Sequence, residues 1–260
     1  MTLLLVGCGK MGGAMLKGWL AAGRTDILVV DPVAQGLDVP TVASFDQVPA
    51  DLQAQTVVLA VKPQMMDQVI PAAARHLAPG GMAVSIAAGK TLGYFARWLG
   101  AAACVRAMPN LPAAIGRGIT VAVPNSAVTL EQRADADALL AACGAVEWVD
   151  DEALIDPVTA VSGGGPAYVF LLVETLAKAG VASGLPADLA ERLARATVAG
   201  SGALLDADAN SAAQLRQNVS SPGGTTLQAL AVLMAEDGVQ PLYDRAIAAA
   251  SRRAGELATS

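Results

Sequence analysis

Five short apolar runs punctuate the first half of the chain: Leu3–Val6, Ile27–Val30, Val57–Val61, Met82–Ile86 and Ala103–Ala107. Each is bounded by glycine, proline or polar residues, and none alternates apolar with polar. A strand with one wet face alternates; uniform apolarity suits a strand covered on both faces, as in a parallel sheet. Amphipathic segments such as Gly12–Ala22 and Asp67–Leu77 lie between the runs. The β-α-β-α rhythm predicts a doubly wound α/β domain. Ile119–Val123, a helix near Thr129–Ala142 and the run Ala145–Val149 complete it, giving a domain over residues 1–150. Beyond Asp150 the rhythm changes. Val169–Ala182, Ala187–Ala207 and Tyr243–Leu257 show helical spacing, and Gly184-Leu185-Pro186 marks one helix stop and the next start. Residues 151–260 therefore predict an all-helical domain. Its helices are alanine-rich and poor in charge, more apolar than a small monomeric bundle needs, which predicts a dimer interface.

Composition removes whole classes of chemistry. Among 260 residues there is one histidine, His76, so a zinc site built on several imidazoles is impossible within one chain. A serine or cysteine nucleophile activated by histidine would depend on His76, which lies in the plain context Ala74-Arg75-His76-Leu77 and reads as a surface residue of a nucleotide-domain helix. No metal ligand set is expected. Cys8, Cys104 and Cys143 are odd in number and widely spaced, so they read as reduced packing residues of a cytoplasmic protein. A net charge of −6 argues against nucleic acid or anionic membrane as partners. The most apolar stretch, Val169–Val173, is soon followed by Glu174 and Lys178, so no uninterrupted membrane-length run of about 20 residues is expected. The first residues, with Lys10 and Lys17 among glycines, do not read as a signal peptide.

Gly7-Cys8-Gly9-Lys10-Met11-Gly12 follows the first predicted strand and opens a helix, the context a dinucleotide fingerprint needs. Gly7 permits the tight turn, Gly9 lets a pyrophosphate approach the backbone, and Gly12 lets helix and strand pack closely. The helix start around Lys10 and Met11 offers amides and a partial positive charge to phosphates. Asp31 ends the second strand, where a carboxylate can accept ribose hydroxyls; no lysine or arginine follows until Lys62. This tilts the cofactor toward NADH, with NADPH open; a simple turn before Pro32 is the plainer reading of Asp31.

Other strand ends carry further candidates. Ala60-Val61-Lys62-Pro63 closes the third main strand, where Lys62 either flanks the cofactor or is merely solvated. Ser85-Ile86-Ala87-Ala88-Gly89 is small enough, at Ala88 in particular, to lie against a flat ring, and Asn110 in Arg106-Ala107-Met108-Pro109-Asn110 can order its loop. Two glycine-rich segments precede helices in the second half. One is Ser162-Gly163-Gly164-Gly165-Pro166-Ala167-Tyr168, with Pro166 as an early helical residue. The other is Asn218-Val219-Ser220-Ser221-Pro222-Gly223-Gly224-Thr225-Thr226, before a helix over Leu227–Ala235. Each could be a capping loop; together, beside a dinucleotide domain, they suit a receptor for a small carboxylate.

With these motifs in place the chain resembles the pyrroline-5-carboxylate reductases. The resemblance runs from Gly7–Gly12 through Ala60–Pro63, Ser85–Gly89, Arg106–Pro112 and Asp156–Phe170 to Gln214–Leu227. It implies a Rossmann domain joined to a helical dimerisation domain, in homodimers that can assemble into decamers. It implies hydride transfer from NADPH or NADH to the C=N bond of L-1-pyrroline-5-carboxylate, giving L-proline. Ser221, Gly223, Gly224, Thr225 and Thr226 match the family's carboxylate-binding loop. Thr226 matches the threonine near the ring nitrogen and Lys62 the lysine beside the cofactor; these two are the candidate catalytic residues. Glu152 and Thr159 match positions near substrate or cofactor, and Asn218 and Pro166 positions near the nicotinamide. The chain departs from many relatives after the second strand, where a serine, threonine or arginine suits a 2′-phosphate and Asp31 stands here; Ser44 is an uncertain counterpart of a polar residue before the third strand.

A protonatable imine needs an oriented hydride donor and an anchored carboxylate, but no histidine. Two rivals stand beside this reading. A β-hydroxyacid dehydrogenase-like enzyme would use a lysine of the helical half, where Lys178 is the single candidate. A non-catalytic nucleotide-binding regulatory protein would need neither glycine-rich segment.

Overall fold

In the computed structural model, which describes residues 3–259, each apolar run overlaps a strand of one eight-stranded sheet, with Val57–Val61 running two residues past its strand. The strands are β1 (Leu3–Val6), β2 (Ile27–Val30), β3 (Thr41–Val42), β4 (Ala54–Leu59), β5 (Leu77–Ser85), β6 (Ala103–Met108), β7 (Gly118–Pro124) and β8 (Gly144–Trp148). Their order is β3-β2-β1-β4-β5-β6-β7-β8. The first six are parallel, β7 runs antiparallel to β6, and β8 is parallel to β7. The strand order reverses beside β1, so the crevice outside the carboxyl ends of β1 and β4 is the place such sheets reserve for a ligand.

Helices α1 (Lys10–Ala21), α2 (Met66–Arg75), α3 (Leu92–Leu99) and α4 (Leu130–Ala141) cover the sheet. On one face Leu3, Leu5, Val29, Val58 and Val84 meet Met15, Leu16 and Trp19 of α1 and Leu139 and Leu140 of α4. On the other, Leu4, Val6, Val57, Leu59 and Ala83 meet Met66 and Ile70 of α2 and Phe95 of α3. Alternate residues of the same strands feed both layers, which is why the runs do not alternate. Each such side chain contributes roughly 1.5–3 kcal/mol through burial. Trp19 Nε1 donates to the Leu139 carbonyl at 2.8 Å and ties α1 to α4.

His76 is not the surface residue the sequence suggested. It is buried at the end of α2, its Nδ1 lies 3.1 Å from the Leu52 carbonyl, and its ring stacks on Phe45. An imidazole can be buried at little cost when a carbonyl satisfies one ring nitrogen; its local sequence carries no mark of that partner, 24 positions away.

After β8 the chain forms α5 (Ile155–Val158), a wide π-helical turn (Thr159–Gly163) and α6 (Gly165–Ala182). The glycine cluster is thus not a loop that opens a helix but a widened turn within a helical run, closed by Gly164 N donating to Thr159 O at 2.9 Å. Close approach is the reason for one of its glycines: a Cβ on Gly163 would lie 2.6 Å from the Met108 methyl. By its own packing the chain divides into Met1–Gly164 with Ala250–Ser260, and Gly165–Ala249. The sequence placed the boundary at the change of rhythm near Asp150; a buried ion cluster described below holds the segment after β8 to the first unit.

The second unit holds α6, α7 (Ala187–Ala207), α8 (Ala212–Asn218), α9 (Thr225–Leu233) and the first part of α10 (Val239–Thr259). Among its described residues only Ala190 and Ala194 are buried hydrophobics, while Phe170, Leu171, Leu172, Leu205, Val232 and Met234 are exposed. A groove of about 850 Å³ along α6 and α7 is lined by Val169, Phe170, Val173, Val181 and Val198. The helical run Glu152–Ala182 is long and apolar enough to cross a membrane by length and composition, although Glu174 and Lys178 interrupt it. Only 6% of its most apolar window is buried, so this surface is bare in a single chain.

Candidate active site

The fingerprint glycines do the packing assigned to them. Gly7 has φ +91°, and a Cβ there would lie 2.9 Å from the Ala60 carbonyl group and 2.8 Å from Val61 Cγ1. A Cβ on Gly12 would collide with the Gly7 carbonyl and lie 3.1 Å from Ala60 Cβ. The turn after β1, the start of α1 and the end of β4 are therefore knit together, and Ala60 and Val61 form the far wall. Gly9 differs: a Cβ there would meet nothing within 4 Å. Gly9 caps α1 without a side-chain hydrogen bond, so the first-turn amides at Lys10 and Met11 remain for an anion. An open glycine beside an uncapped helix start fits a dinucleotide pyrophosphate.

Asp31 faces this turn from the end of β2. Its Oδ2 accepts the Cys8 amide at 2.6 Å, and its Oδ1 accepts the Val33 and Ala34 amides at 2.8 and 2.9 Å. Burial pushes the carboxyl upward, but the three amides outweigh it and hold Asp31 below the usual carboxylate range. Lys62 is exposed and Pro63 opens a short 3₁₀ turn behind it. Ala88 is half-buried after β5, where the buried Ser85 Oγ accepts the Ala87 amide at 3.2 Å. Asn110 Oδ1 accepts the Ile119 amide at 3.0 Å, and its Nδ2 donates to Ser162 Oγ at 3.2 Å. Asn110 thus orders its loop and pins the π-helical turn.

One functional group was passed over in the sequence: Arg106, in the middle of β6 and 3% exposed. Its guanidinium donates to Glu152 Oε1 at 2.7 Å and lies 3.9 Å from Asp156 Oδ1. Glu152 Oε1 also accepts the Leu92 amide at 2.8 Å, at the start of α3 just beyond Gly89. Glu152 thus holds β6, α3 and the post-β8 helix together through Oε1. The Thr159 hydroxyl donates to the Ile155 carbonyl at 2.7 Å, within its own helix. An arginine inside an otherwise apolar strand was the signal for this cluster, because a buried cation requires a partner.

In the second unit, the segment after α8 turns at Gly223, with φ +73°, and enters α9 through Gly224. Gly224 lacks a capping side chain, which leaves the Thr225 and Thr226 amides as free donors. Ser221 folds back on this turn: Gly224 N donates to its carbonyl at 3.0 Å. Thr226 is half-buried, and Ser221, Gly223 and Thr225 are exposed. Asn218 ends α8 and accepts Gln214 Nε2 at 2.9 Å through Oδ1. Pro166 is the second residue of α6.

A glycine-lined crevice at the switch point of a doubly wound sheet, followed by a helical unit with bare apolar faces, defines a nicotinamide-dependent oxidoreductase with a dimerisation domain. Comparison with known proteins narrows this class. Residues 152–257 match the family model for pyrroline-5-carboxylate reductase dimerisation, and residues 2–89 that for NADP oxidoreductases, coenzyme F420-dependent. The pyrroline-5-carboxylate reductase of Pseudomonas aeruginosa is 39% identical over 98% of this chain and 96% of its own. The solved structure of a pyrroline-5-carboxylate reductase from Coxiella burnetii superposes with a TM-score of 0.90, at 35% identity, over 100% and 99% of the two chains. That of the Plasmodium falciparum enzyme, with NADP bound, gives 0.84 at 27% identity over 99% and 98%. The chain belongs to the pyrroline-5-carboxylate reductase family.

Proposed function

We propose that this chain reduces the C=N bond of L-1-pyrroline-5-carboxylate to give L-proline. The observation that carries this reading is the uncapped turn Ser221–Thr226, standing in a chain collinear with the reductases over nearly its whole length. NAD(P)H supplies the hydride when bound. Gly7, Gly9, Lys10, Met11 and Gly12 hold the pyrophosphate, with Ala60, Val61, Lys62, Pro63, Ala88 and Asn110 along the crevice. The Thr225 and Thr226 amides and the Ser221 hydroxyl clamp the substrate carboxylate, with Gly223 and Gly224 shaping the turn. The Thr226 hydroxyl hydrogen-bonds the ring nitrogen. Threonine has no useful acidity near neutral pH, so the nitrogen's proton comes with the protonated imine or from water. Pro166 and Asn218 border the nicotinamide. Glu152 and Thr159 keep their place beside the substrate as framework, since both side chains are engaged within the protein.

The working unit is a cytoplasmic homodimer, with the crevice of one chain completed by the Ser221–Thr226 turn of its partner, and dimers can assemble into decamers. The bare faces of α6, α7 and α9 support a protein partner for a surface that would otherwise cost solubility. The dehydrogenase-like alternative loses ground on Lys178, whose side chain is 77% exposed and lies 4.0 Å from Glu174 on the same helix.

Steady-state reduction of pyrroline-5-carboxylate with NADH and NADPH in parallel tests the reading. Turnover with both is expected, with the larger kcat/KM for NADH because a carboxylate follows β2. Equal values remove the selectivity assigned to Asp31. Absence of turnover with either sinks the reductase reading.

A further inference from the structure

A carboxylate reserved for ribose hydroxyls would present its oxygens to the crevice. Asp31 has most of that capacity engaged within the protein. It is 9% exposed, and its two oxygens already accept three backbone amides at 2.6, 2.8 and 2.9 Å. Oδ1 has both of its acceptor directions filled, and Oδ2 retains one. The amides it takes have no backbone acceptor among the described residues. Two belong to the turn after β2, and the third belongs to Cys8, inside the fingerprint. The main chain on either side is already in register, through Gly7 N to Val30 O at 2.9 Å and Asp31 N to Val42 O at 3.0 Å. The Asp31 side chain is thus the strut between the turn that would meet the pyrophosphate and the turn that would meet the adenosine.

We infer that Asp31 is a positioning residue, which clasps the Cys8 amide to the turn after β2 and holds the phosphate-binding loop open for either cofactor. The inference rests on the crevice being the dinucleotide site. It separates two roles that a residue at this place can combine. A residue that only selects between cofactors trades one affinity against the other when changed. A residue that sets the shape of the phosphate loop lowers both.

Asp31→Asn keeps the size but turns one acceptor into a donor, which must then face either Cys8 N or the Val33 and Ala34 amides. Direct binding, read by cofactor fluorescence without substrate, is expected to show Kd for NADH and for NADPH each raised about tenfold, the loss of one charge-assisted hydrogen bond. An unchanged or lowered Kd for NADPH overturns the inference. A second measurement needs no variant: in the cofactor-free wild-type protein, the Cys8, Val33 and Ala34 amides should exchange slowly with solvent although none lies in a strand or helix. Exchange at unstructured rates overturns it as well. Failure of the wild-type protein to bind either cofactor removes the dinucleotide reading itself, and the loop's function with it. Wild-type binding with NADPH affinity preserved in the variant removes the clasp alone.

Discussion

Replacing Glu152 by alanine takes away the nearer of the two carboxylates that face a guanidinium inside β6. The Arg106 side chain is 4% exposed and that of Glu152 29%. Removing one partner of a buried pair costs about 3–5 kcal/mol, because the other charge is left in a poorly solvated place. Two features set the value near the lower end. Asp156 Oδ1 remains 3.9 Å from the guanidinium, and the exposure of Glu152 means its pair is partly screened. The Leu92 amide also loses its acceptor, worth about 1 kcal/mol. A total of about 4 kcal/mol follows, with Glu152→Gln costing about 1 kcal/mol because it keeps an acceptor. The reverse change, Arg106→Met, leaves a carboxylate that still reaches water and still accepts Leu92 N, so about 1–2 kcal/mol is expected. The double variant should cost less than the two singles together, by about 1–2 kcal/mol. Thermal unfolding at neutral pH and one protein concentration measures this, with roughly 2–4 °C of Tm per kcal/mol in a chain of this length. The reasoning is refuted if Arg106→Met costs as much as Glu152→Ala, or if the double variant equals the sum.

Thr226→Ala should lower kcat/KM by about tenfold or more through loss of the hydrogen bond to the ring nitrogen; full turnover at an unchanged KM would remove that assignment. Leu172→Glu, at a site 49% exposed in one chain, should shift sedimentation toward monomer and abolish activity together with it, whereas an intact, active dimer would move the interface elsewhere. Native alkylation at pH 8 should label Cys8 first, since Cys104 is buried with its thiol pushed up to about 12 and Cys143 is buried as well; equal labelling of all three would contradict the packing. Asp31 has a folded value below the ordinary 3.8, so its stabilisation is complete above that value and lost as pH falls through the lowered one. Cofactor affinity should therefore hold from neutral pH down to about pH 4 and then fall; a loss centred near pH 6 would place its origin in another group.

The strands of the first unit were legible because double-sided burial writes itself into composition. Leu3 to Val6 are all apolar since Leu3 and Leu5 serve one layer and Leu4 and Val6 the other. The two residues of β3 left no pattern, being too few to show a period. α3 was missed because its eight residues include Tyr94, Arg97 and Trp98, and the Thr91 cap that starts it lies in what reads as turn chemistry. The fingerprint was legible through local sterics, and the Asn218–Thr226 segment stood out as a glycine-rich run ahead of a helix, while its uncapped start at Gly224 is visible only in the fold. Arg106 with Glu152, and His76 with Leu52, were not. Their partners lie 46 and 24 positions apart, and pairings at such distance have no local signature.

What the sequence determined alone was therefore everything set by neighbours in the chain: which runs are strands, where α1 begins, why Gly7 and Gly12 carry no side chain, and which chemistry a lone histidine excludes. The tertiary structure decided what each polar group is free to do. The resemblance puts Glu152 near substrate or cofactor, and the fold gives it a buried arginine to hold. Asp31 reads as a ribose acceptor, and in the fold three of its acceptor directions are taken by backbone amides. A side chain's hydrogen-bonding capacity is finite, and folding brings to it partners that its neighbours in sequence cannot reveal.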